Sequence, residues 1–185
     1  MRKLLKYLAL TALGLINVGN ASGAGGNFSL IADNGTPYSL SDSRGNIVVL
    51  SFGYTFCPDV CPTGLATISS ALNSIGEAAQ QIDALFISVD PDRDTPETLA
   101  KYTRYFHPRL TGLTGHAESI ADVARRYYAR FEFVGKGETP NYTIDHTASF
   151  YIIDRNGQLI NVLPHSVPPD SLAESLLVAV RQPVK

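Results

Sequence analysis

The residues best suited to chemistry in this sequence are its two cysteines, Cys57 and Cys61. They follow Ile47–Phe52, the most strand-like run of the chain, and precede apolar residues that recur at helical spacing. A buried strand is therefore predicted to turn into a helix at the cysteines. Backbone N–H groups at a helix start are unpaired and carry a partial positive charge, which favours thiolate over thiol. Because residues four apart are neighbours on a helix, both sulfurs can share one face of the first turn. The sequence thus predicts a site for sulfur chemistry.

Three interpretations of the cysteine pair remain open at this point. A structural disulfide is normal in an exported protein, but it would close a very short loop here, and the stabilisation from a cross-link grows with loop length. Thiol–disulfide exchange is the second interpretation, and three intervening residues, where thioredoxins have two, do not forbid it. Metal binding is the third. Two thiolates are an incomplete site for zinc, which takes four ligands, but they suit a soft ion such as Cu(I).

A third metal ligand would come from the four histidines of the chain. His107 follows a predicted helix, where a capping or dipole role is expected. His116 begins another predicted helix and is expected to be solvated, and His165 is expected to be peripheral. His146 lies between a glycine-rich loop and a predicted core strand, and Asp145 beside it could orient or tune the ring. Spacing alone leaves a structural histidine and a metal ligand equally open for His146.

The composition describes one globular domain. The chain has 185 residues, of which 44% are hydrophobic and 17% are charged, and this balance excludes both a disordered and a membrane-spanning protein. The only methionine is Met1. If it is removed with an N-terminal targeting segment, the remaining chain has no thioether ligand, which excludes methionine-rich copper sites.

The N-terminus has the layout of a secretory signal peptide. Its basic residues are Arg2, Lys3 and Lys6. The apolar run Tyr7–Val18 follows, and small residues then predict cleavage after Ala21 or Ala24. The predicted organisation is a signal peptide over residues 1–24, a domain over 25–185 and a periplasmic location, with an uncleaved anchor in the inner membrane as the alternative. Cleavage would change the formal net charge from −2 to −5, since 12 basic side chains would remain against 17 acidic ones. No nucleic-acid partner is expected for such a domain.

Hydrophobic periodicity and turn residues predict the elements of the domain. Strands are predicted at Phe28–Ala32, Thr36–Leu40, Ile47–Phe52, Ala84–Val89, Phe150–Ile153 and Leu159–Leu163. Helices are predicted from the cysteines to about Gly76, from Asp94 or Thr95 to Phe106, from His116 to Arg130, and after Ser171. Asn34–Gly35 and Asn156–Gly157 predict two hairpins, one of them N-terminal. Capping boxes are predicted for Asp94 with Glu97 and for Ser171 with Glu174.

The order of these elements predicts the fold class. Strands separated by helices, followed by a hairpin and a closing helix, indicate an α/β protein with a mixed sheet flanked by helices. A cysteine pair at a strand-to-helix turn within this plan is typical of a thioredoxin-like fold.

Three motifs resemble those of the Sco/SenC family: Tyr54–Pro62, Ser88–Pro96 and Asp145–Thr147. Their order and spacing fit the family across nearly the whole predicted domain. There are small departures, since Thr147 stands where serine is usual and Asp92 where glutamate is common. The N-terminal segment is also short, whereas many relatives keep a membrane anchor.

The resemblance implies a thioredoxin-fold copper protein of the bacterial periplasm or the mitochondrial inner membrane. Such proteins help to assemble the dinuclear copper centre of cytochrome c oxidase. By this match, Cys57, Cys61 and His146 would bind one copper ion, Cu(I) or Cu(II), and the protein would carry copper without being an enzyme. Its partners would be the copper-accepting oxidase subunit and other periplasmic copper chaperones or thiol reductants.

A second function stays open, in which Cys57 and Cys61 form a redox-active pair that reduces the disulfide of the acceptor. His146 discriminates between the two functions, because copper binding needs it and disulfide exchange does not.

Overall fold

The computed structural model describes residues 24–139 and 141–182. The basic and apolar parts of the predicted signal peptide, and the predicted cleavage site after Ala21, lie outside the described residues. Within the described residues, no helix combines the length and the apolar character needed to cross a membrane.

The described residues form two sheets and four α-helices. The strands are β1 (Ser29–Ala32), β2 (Pro37–Ser39), β3 (Ile47–Gly53), β4 (Ile82–Ser88), β5 (Leu110–Thr114), β6 (Phe131–Val134), β7 (Thr143–His146), β8 (Ser149–Ile153) and β9 (Leu159–Pro164). The helices are α1 (Val60–Ser74), α2 (Pro96–Phe106), α3 (Ala117–Arg126) and α4 (Pro169–Arg181). The main sheet has the order β2-β1-β5-β4-β3-β8-β9, and β6 pairs with β7 in a separate ribbon.

The main sheet is mixed, as the sequence predicts. Strands β3, β4 and β5 are parallel, whereas β1 and β8 pair antiparallel at either side of them. All seven residues of β3 are buried, which explains its continuous apolar sequence. Both predicted hairpins form, as β1–β2 and β8–β9. The architecture is α/β and thioredoxin-like, with the cysteines just after β3, an interior strand of the main sheet.

The parallel pair β3–β4 brings two of the sequence motifs together. Gly53 at the end of β3 is the partner of Ser88 at the end of β4, and the N–H of Val89 donates to the Gly53 carbonyl at 2.8 Å. The loops that follow the two strands therefore emerge side by side. Glycine is also the residue type that fits at position 53, because a Cβ there would lie 2.6 Å from the Cys61 sulfur.

Three strands, β5, β6 and β7, escape prediction, and one helix is shorter than predicted. In β5, Gly112 interrupts the apolar pattern; the structure requires this glycine, since a Cβ would lie 2.7 Å from the Leu99 side chain. Strand β6 is partly exposed and does not belong to the main sheet. Helix α3 ends at Arg126 instead of Arg130, because Tyr128 adopts a left-handed backbone with φ of 57°.

Both predicted capping boxes are wrong. Helix α2 is capped by Thr95, the alternative cap that the sequence also predicts, and its hydroxyl accepts from the N–H of Thr98 at 3.3 Å. The Asp94 carboxylate is buried instead against Thr55 and Ser88. Helix α4 begins at Pro169, upstream of Ser171, because a proline at the first helical position has the backbone angle that a helix needs.

Candidate metal centre

The cysteine turn connects β3 to α1. Cys61 is the second residue of α1, whereas Cys57 precedes the helix, and the N–H of Cys57 donates to the Tyr54 carbonyl at 3.2 Å. The prediction that both sulfurs share a helix face is therefore wrong, because Cys57 lies before the helix. The turn closed by its hydrogen bond to Tyr54 is what brings Cys57 close to Cys61. Both cysteines are free thiols; Cys61 is buried and Cys57 is half-buried.

His146 reaches the cysteines from the separate ribbon. It is the last residue of β7, where it pairs with Phe131 of β6, and the core strand β8 begins three residues later. Its Nε2 lies 3.2 Å from the Cys61 sulfur, and its Nδ1 lies 3.2 Å from the Thr147 carbonyl oxygen. Because a carbonyl only accepts, Nδ1 carries the proton, and the Nε2 lone pair points towards Cys61.

The expected role of Asp145 in orienting this ring is taken by the Thr147 carbonyl. Asp145 is exposed, as neighbouring residues of a strand point to opposite faces. Its negative charge still favours the protonated imidazole from a distance, but burial has the larger effect and lowers the pKa of His146. The imidazole is therefore neutral near pH 7, which is the form that binds metals.

The three predicted ligands form one cluster. Cys57, Cys61 and His146 each offer one ligand atom, and these atoms lie within 4.8 Å of one another. In residues 24–139 and 141–182 this is the one group of three or more such residues close enough to hold a metal ion. Two sulfurs and one imidazole nitrogen are donors that suit Cu(I), so the residues present fit a soft metal ion.

Burial changes the expected state of the Cys61 thiol. It raises the pKa of Cys61, and this effect outweighs the backbone N–H of Tyr54, which lowers it. The sequence predicts that the helix start favours thiolate, and for Cys61 this is wrong, because desolvation penalises the charged form more strongly. The sulfur stays protonated until a cation displaces its proton.

Asp94 fixes the cysteine turn in a way that sequence reasoning missed. Its carboxylate is fully buried and accepts three hydrogen bonds, from the Thr55 N–H at 3.0 Å, the Thr55 hydroxyl at 2.5 Å and the Ser88 hydroxyl at 2.5 Å. The two bonds with Thr55 connect the loop after β4 to the cysteine turn, two residues before Cys57. The sequence offered a local explanation for Asp94, a helix cap, and nothing local indicated a partner 39 residues upstream.

Tyr54 connects the cysteine turn to the ribbon that carries His146. Its hydroxyl accepts from the N–H of Ile144 at 3.2 Å, and its ring lies edge-on to the His146 ring with centroids 5.9 Å apart. Tyr54 is itself buried. One aromatic side chain thus contacts the strand of the histidine at two points.

Two of the other histidines lie where the sequence predicts. His107 caps the end of α2 and accepts from the N–H of Arg109 through Nδ1 at 3.1 Å. His116 is exposed at the start of α3.

His165 is not peripheral, contrary to the sequence-based expectation. Its Nε2 donates to the Val60 carbonyl at 2.6 Å, and its ring stacks on Phe150 with centroids 6.1 Å apart. Gly64 leaves room for it, since a Cβ there would lie 3.1 Å from the imidazole. His165 therefore supports the first turn of α1, beside Cys61, through the hydrogen bond from its Nε2 to the Val60 carbonyl.

Known proteins and structures resemble this chain over most of its length. The family model described as SCO1/SenC matches residues 18–181. The SCO2-like protein of Rickettsia conorii is 37% identical over 155 residues, which are 82% of this chain and 75% of the relative.

Among solved structures, ScoI of Arabidopsis thaliana with copper bound is 34% identical and has a TM-score of 0.79, over 87% of this chain and 100% of that chain. ScoI of Bradyrhizobium japonicum with copper bound is 39% identical with a TM-score of 0.78, over 85% and 99% of the two chains. With the family model and these relatives in agreement along most of the sequence, the chain belongs to the SCO1/SenC family.

Proposed function

We propose that the chain binds one copper ion through the Cys57 sulfur, the Cys61 sulfur and Nε2 of His146. The observation that carries this proposal is the cluster of two sulfurs and one imidazole nitrogen within 4.8 Å of one another. The imidazole is neutral, and its Nδ1–H is held by the Thr147 carbonyl, so Nε2 is free to bind a metal. The two relatives with copper in their structures, at 34% and 39% identity, support the choice of metal.

The residues around the cluster would control loading and release. Bound copper supplies the positive charge that makes both sulfurs thiolates. Cys61 gives up its proton on loading and takes one back on release, so binding depends on pH. Oxidation of Cys57 and Cys61 to a disulfide would remove both thiolates, and copper binding would then require a reduced pair. Asp94 and Tyr54 keep the cysteine turn in place throughout.

The copper ion is the cargo in this proposal, and its acceptor is the copper-binding subunit of cytochrome c oxidase, where it helps to form the dinuclear centre. Membership of the family supports this destination. The site is also open to a partner, because Cys57 is half-buried and the neighbouring Phe56 side chain is 61% exposed. Export by the signal peptide would place the protein in the periplasm with this acceptor.

Anaerobic copper titration of the reduced domain, residues 25–185, tests the binding proposal. One copper ion should bind per chain, and Cys57→Ser and Cys61→Ser should each abolish tight binding. His116→Ala serves as the matched histidine control, because His116 is exposed away from the cluster. Equal copper retention by the disulfide form would show that the thiolates are not ligands.

Thiol–disulfide reduction is the second candidate function, and it is favoured by the free thiol of half-buried Cys57 beside that of Cys61. His146→Ala separates the two. Loss of a direct ligand should lower copper affinity by at least the roughly 10–100-fold that loss of an outer partner costs. Both thiols remain, so exchange with a small reductant should continue. Oxidase activity preserved in cells carrying only this variant, despite lost copper binding, would favour the reductase.

A further inference from the structure

Arg93 lies between the two parts of the chain that carry the cluster. It belongs to the loop after β4, and its side chain is only 15% exposed. The guanidinium carbon lies 3.6 Å from the centre of the Tyr142 ring, 4.8 Å from that of Phe56 and 5.6 Å from that of Tyr54. Phe56 and Tyr54 belong to the cysteine turn, whereas Tyr142 immediately precedes β7. One cation therefore contacts aromatic rings on both sides of the cluster.

Hydrogen bonds fix the guanidinium in this position. It pairs with the carboxylate of Asp90, whose side chain is fully buried, and it donates through Nη1 to the Tyr142 carbonyl at 3.0 Å. The Tyr142 hydroxyl donates to the same carboxylate at 2.7 Å. Asp90, Arg93 and Tyr142 thus form a closed set of contacts. A lysine could not reproduce it, because only the planar guanidinium can stack on a ring and donate along two directions at once.

The remaining guanidinium nitrogen explains why aromatic rings are needed. Nη2 of Arg93 is buried and has no hydrogen-bond partner among the described residues. A desolvated cation without a full set of acceptors is costly, but the faces of aromatic rings attract it electrostatically. The three rings therefore complete the surroundings of Arg93, and their positions depend on it in return.

Strand β7 depends on side-chain contacts such as those of Arg93 for its position, because it is not part of the main sheet. It pairs with β6 alone, and a two-stranded ribbon is at best marginally stable by itself. At its far end, His146 contacts Cys61 and the Tyr54 ring. Nearer its start, the strand is held by the Ile144 N–H on the Tyr54 hydroxyl and by the contacts of Tyr142 with Arg93 and Asp90. His146 lies four residues after Tyr142, at the far end of the strand.

We propose that Arg93 is a positioning residue that holds β7, and with it His146, against the cysteine turn. This inference rests on the proposed copper site for its functional meaning. Without Arg93 the ribbon would leave the turn more often, and the imidazole would reach the two sulfurs in a smaller fraction of the molecules. The consequence is weaker copper binding with both thiols still present.

Hydrogen exchange of the reduced, metal-free domain measures the position of β7 directly. In Arg93→Met, amide exchange within residues 142–147 should rise by about 5–30-fold, the range that corresponds to losing a desolvated cation–π contact. Copper affinity from competition titration should fall by about 10–100-fold, as for other outer partners of a metal ligand. Arg93→Lys, which keeps the charge, should give smaller changes in both measurements.

Arg104→Met is the matched control, because Arg104 is an exposed arginine of α2 whose side chain has no ion pair or hydrogen bond within residues 24–139 and 141–182. It should change neither measurement. Tyr142→Leu removes the ring but leaves Arg93 paired with Asp90, so it remains informative if Arg93→Met fails to fold. It should raise the same exchange rates.

The outcomes separate this inference from the proposed function. Unchanged exchange within residues 142–147 in either Arg93→Met or Tyr142→Leu would overturn the positioning role, whatever the copper result. Raised exchange with unchanged copper affinity would overturn it as well, because the position of the strand would then not govern binding. If the unaltered protein binds no copper, the proposed function fails, and the exchange data still decide whether Arg93 holds the strand.

Discussion

Removing the Asp94 carboxylate should loosen the cysteine turn and destabilise the fold. In Asp94→Ala, the Thr55 N–H, the Thr55 hydroxyl and the Ser88 hydroxyl all lose their acceptor. The two hydroxyls can rotate to other acceptors, but the backbone N–H of Thr55 cannot. Each buried polar group left without a partner costs about 1–3 kcal/mol. Relief of the buried charge offsets part of this, so the free energy of unfolding should fall by about 2–4 kcal/mol.

Asp94→Asn should lower the free energy of unfolding by less than Asp94→Ala does. The amide oxygen of the asparagine can still accept from the Thr55 N–H. The amide NH2 group would face the Thr55 hydroxyl, and this hydroxyl can rotate so that it accepts a hydrogen bond instead of donating one. The expected loss is about 1 kcal/mol, a typical net value for one hydrogen bond.

The pH dependence of stability provides a second signature of Asp94. Burial raises the pKa of Asp94 above its value in the unfolded chain. Below the pKa that Asp94 has in the unfolded chain, the protonated carboxyl therefore adds to the free energy of unfolding. This contribution is lost as pH rises through the pKa of Asp94 in the folded protein. Asp94→Asn should remove this contribution, so the stability of the variant should no longer fall as pH rises through the folded pKa of that carboxyl.

Urea denaturation, at several pH values, and copper competition titration of the reduced domain are the assays. Asp92→Ala is the matched control, because Asp92 belongs to the same loop, its side chain is 62% exposed, and its ion pair among the described residues is with exposed Lys136. That variant should stay within about 0.5 kcal/mol of the unaltered protein. If Asp94→Ala and Asp92→Ala were equally stable, the idea that Asp94 fixes the cysteine turn would be refuted.

Three further predictions concern Gly53, His165 and the signal peptide. Gly53→Ala should weaken copper binding and cost about 1–3 kcal/mol of stability, because its Cβ would lie 2.6 Å from the Cys61 sulfur; unchanged binding would contradict this. His165→Ala should destabilise the fold by about 1–2 kcal/mol through loss of its bond to the Val60 carbonyl and its stacking, yet one copper ion should still bind per chain. Intact mass of the periplasmic protein should show cleavage after Ala21 or Ala24, and recovery of uncleaved chain in the membrane fraction would oppose it.

Local patterns were sufficient for the elements of the core and for the chemical types at the site. The continuous apolar run of β3 and the two Asn-Gly turns predicted a buried strand and two hairpins, and the structure has all three. Residue type and spacing identified the cysteines. His146 stood out only by its position next to a predicted core strand, and the resemblance to the family joined the three residues into one site. These signals work because burial periodicity and turn chemistry depend on residues a few positions apart.

Elements without a local signal were missed. Strand β5 contains Gly112, which is there because Leu99 packs against it, and strand β6 is half-exposed. The ribbon that carries His146 could therefore not be told from a loop beside a core strand. Its pairing is decided by contacts between residues that are distant along the chain.

The sequence by itself determined the fold class and the order of the motifs, because both depend on residue type and short-range spacing, and its resemblance to the family implied the three candidate ligands. The tertiary structure alone decided how these residues behave. It placed Cys57 in a turn before the helix, buried Cys61 so that its thiol keeps its proton, and gave Asp94 a long-range partner in place of a helix cap. The physical reason is common to all three: desolvation and buried hydrogen bonds depend on what the folded chain brings alongside a residue, and neighbours in sequence do not specify it.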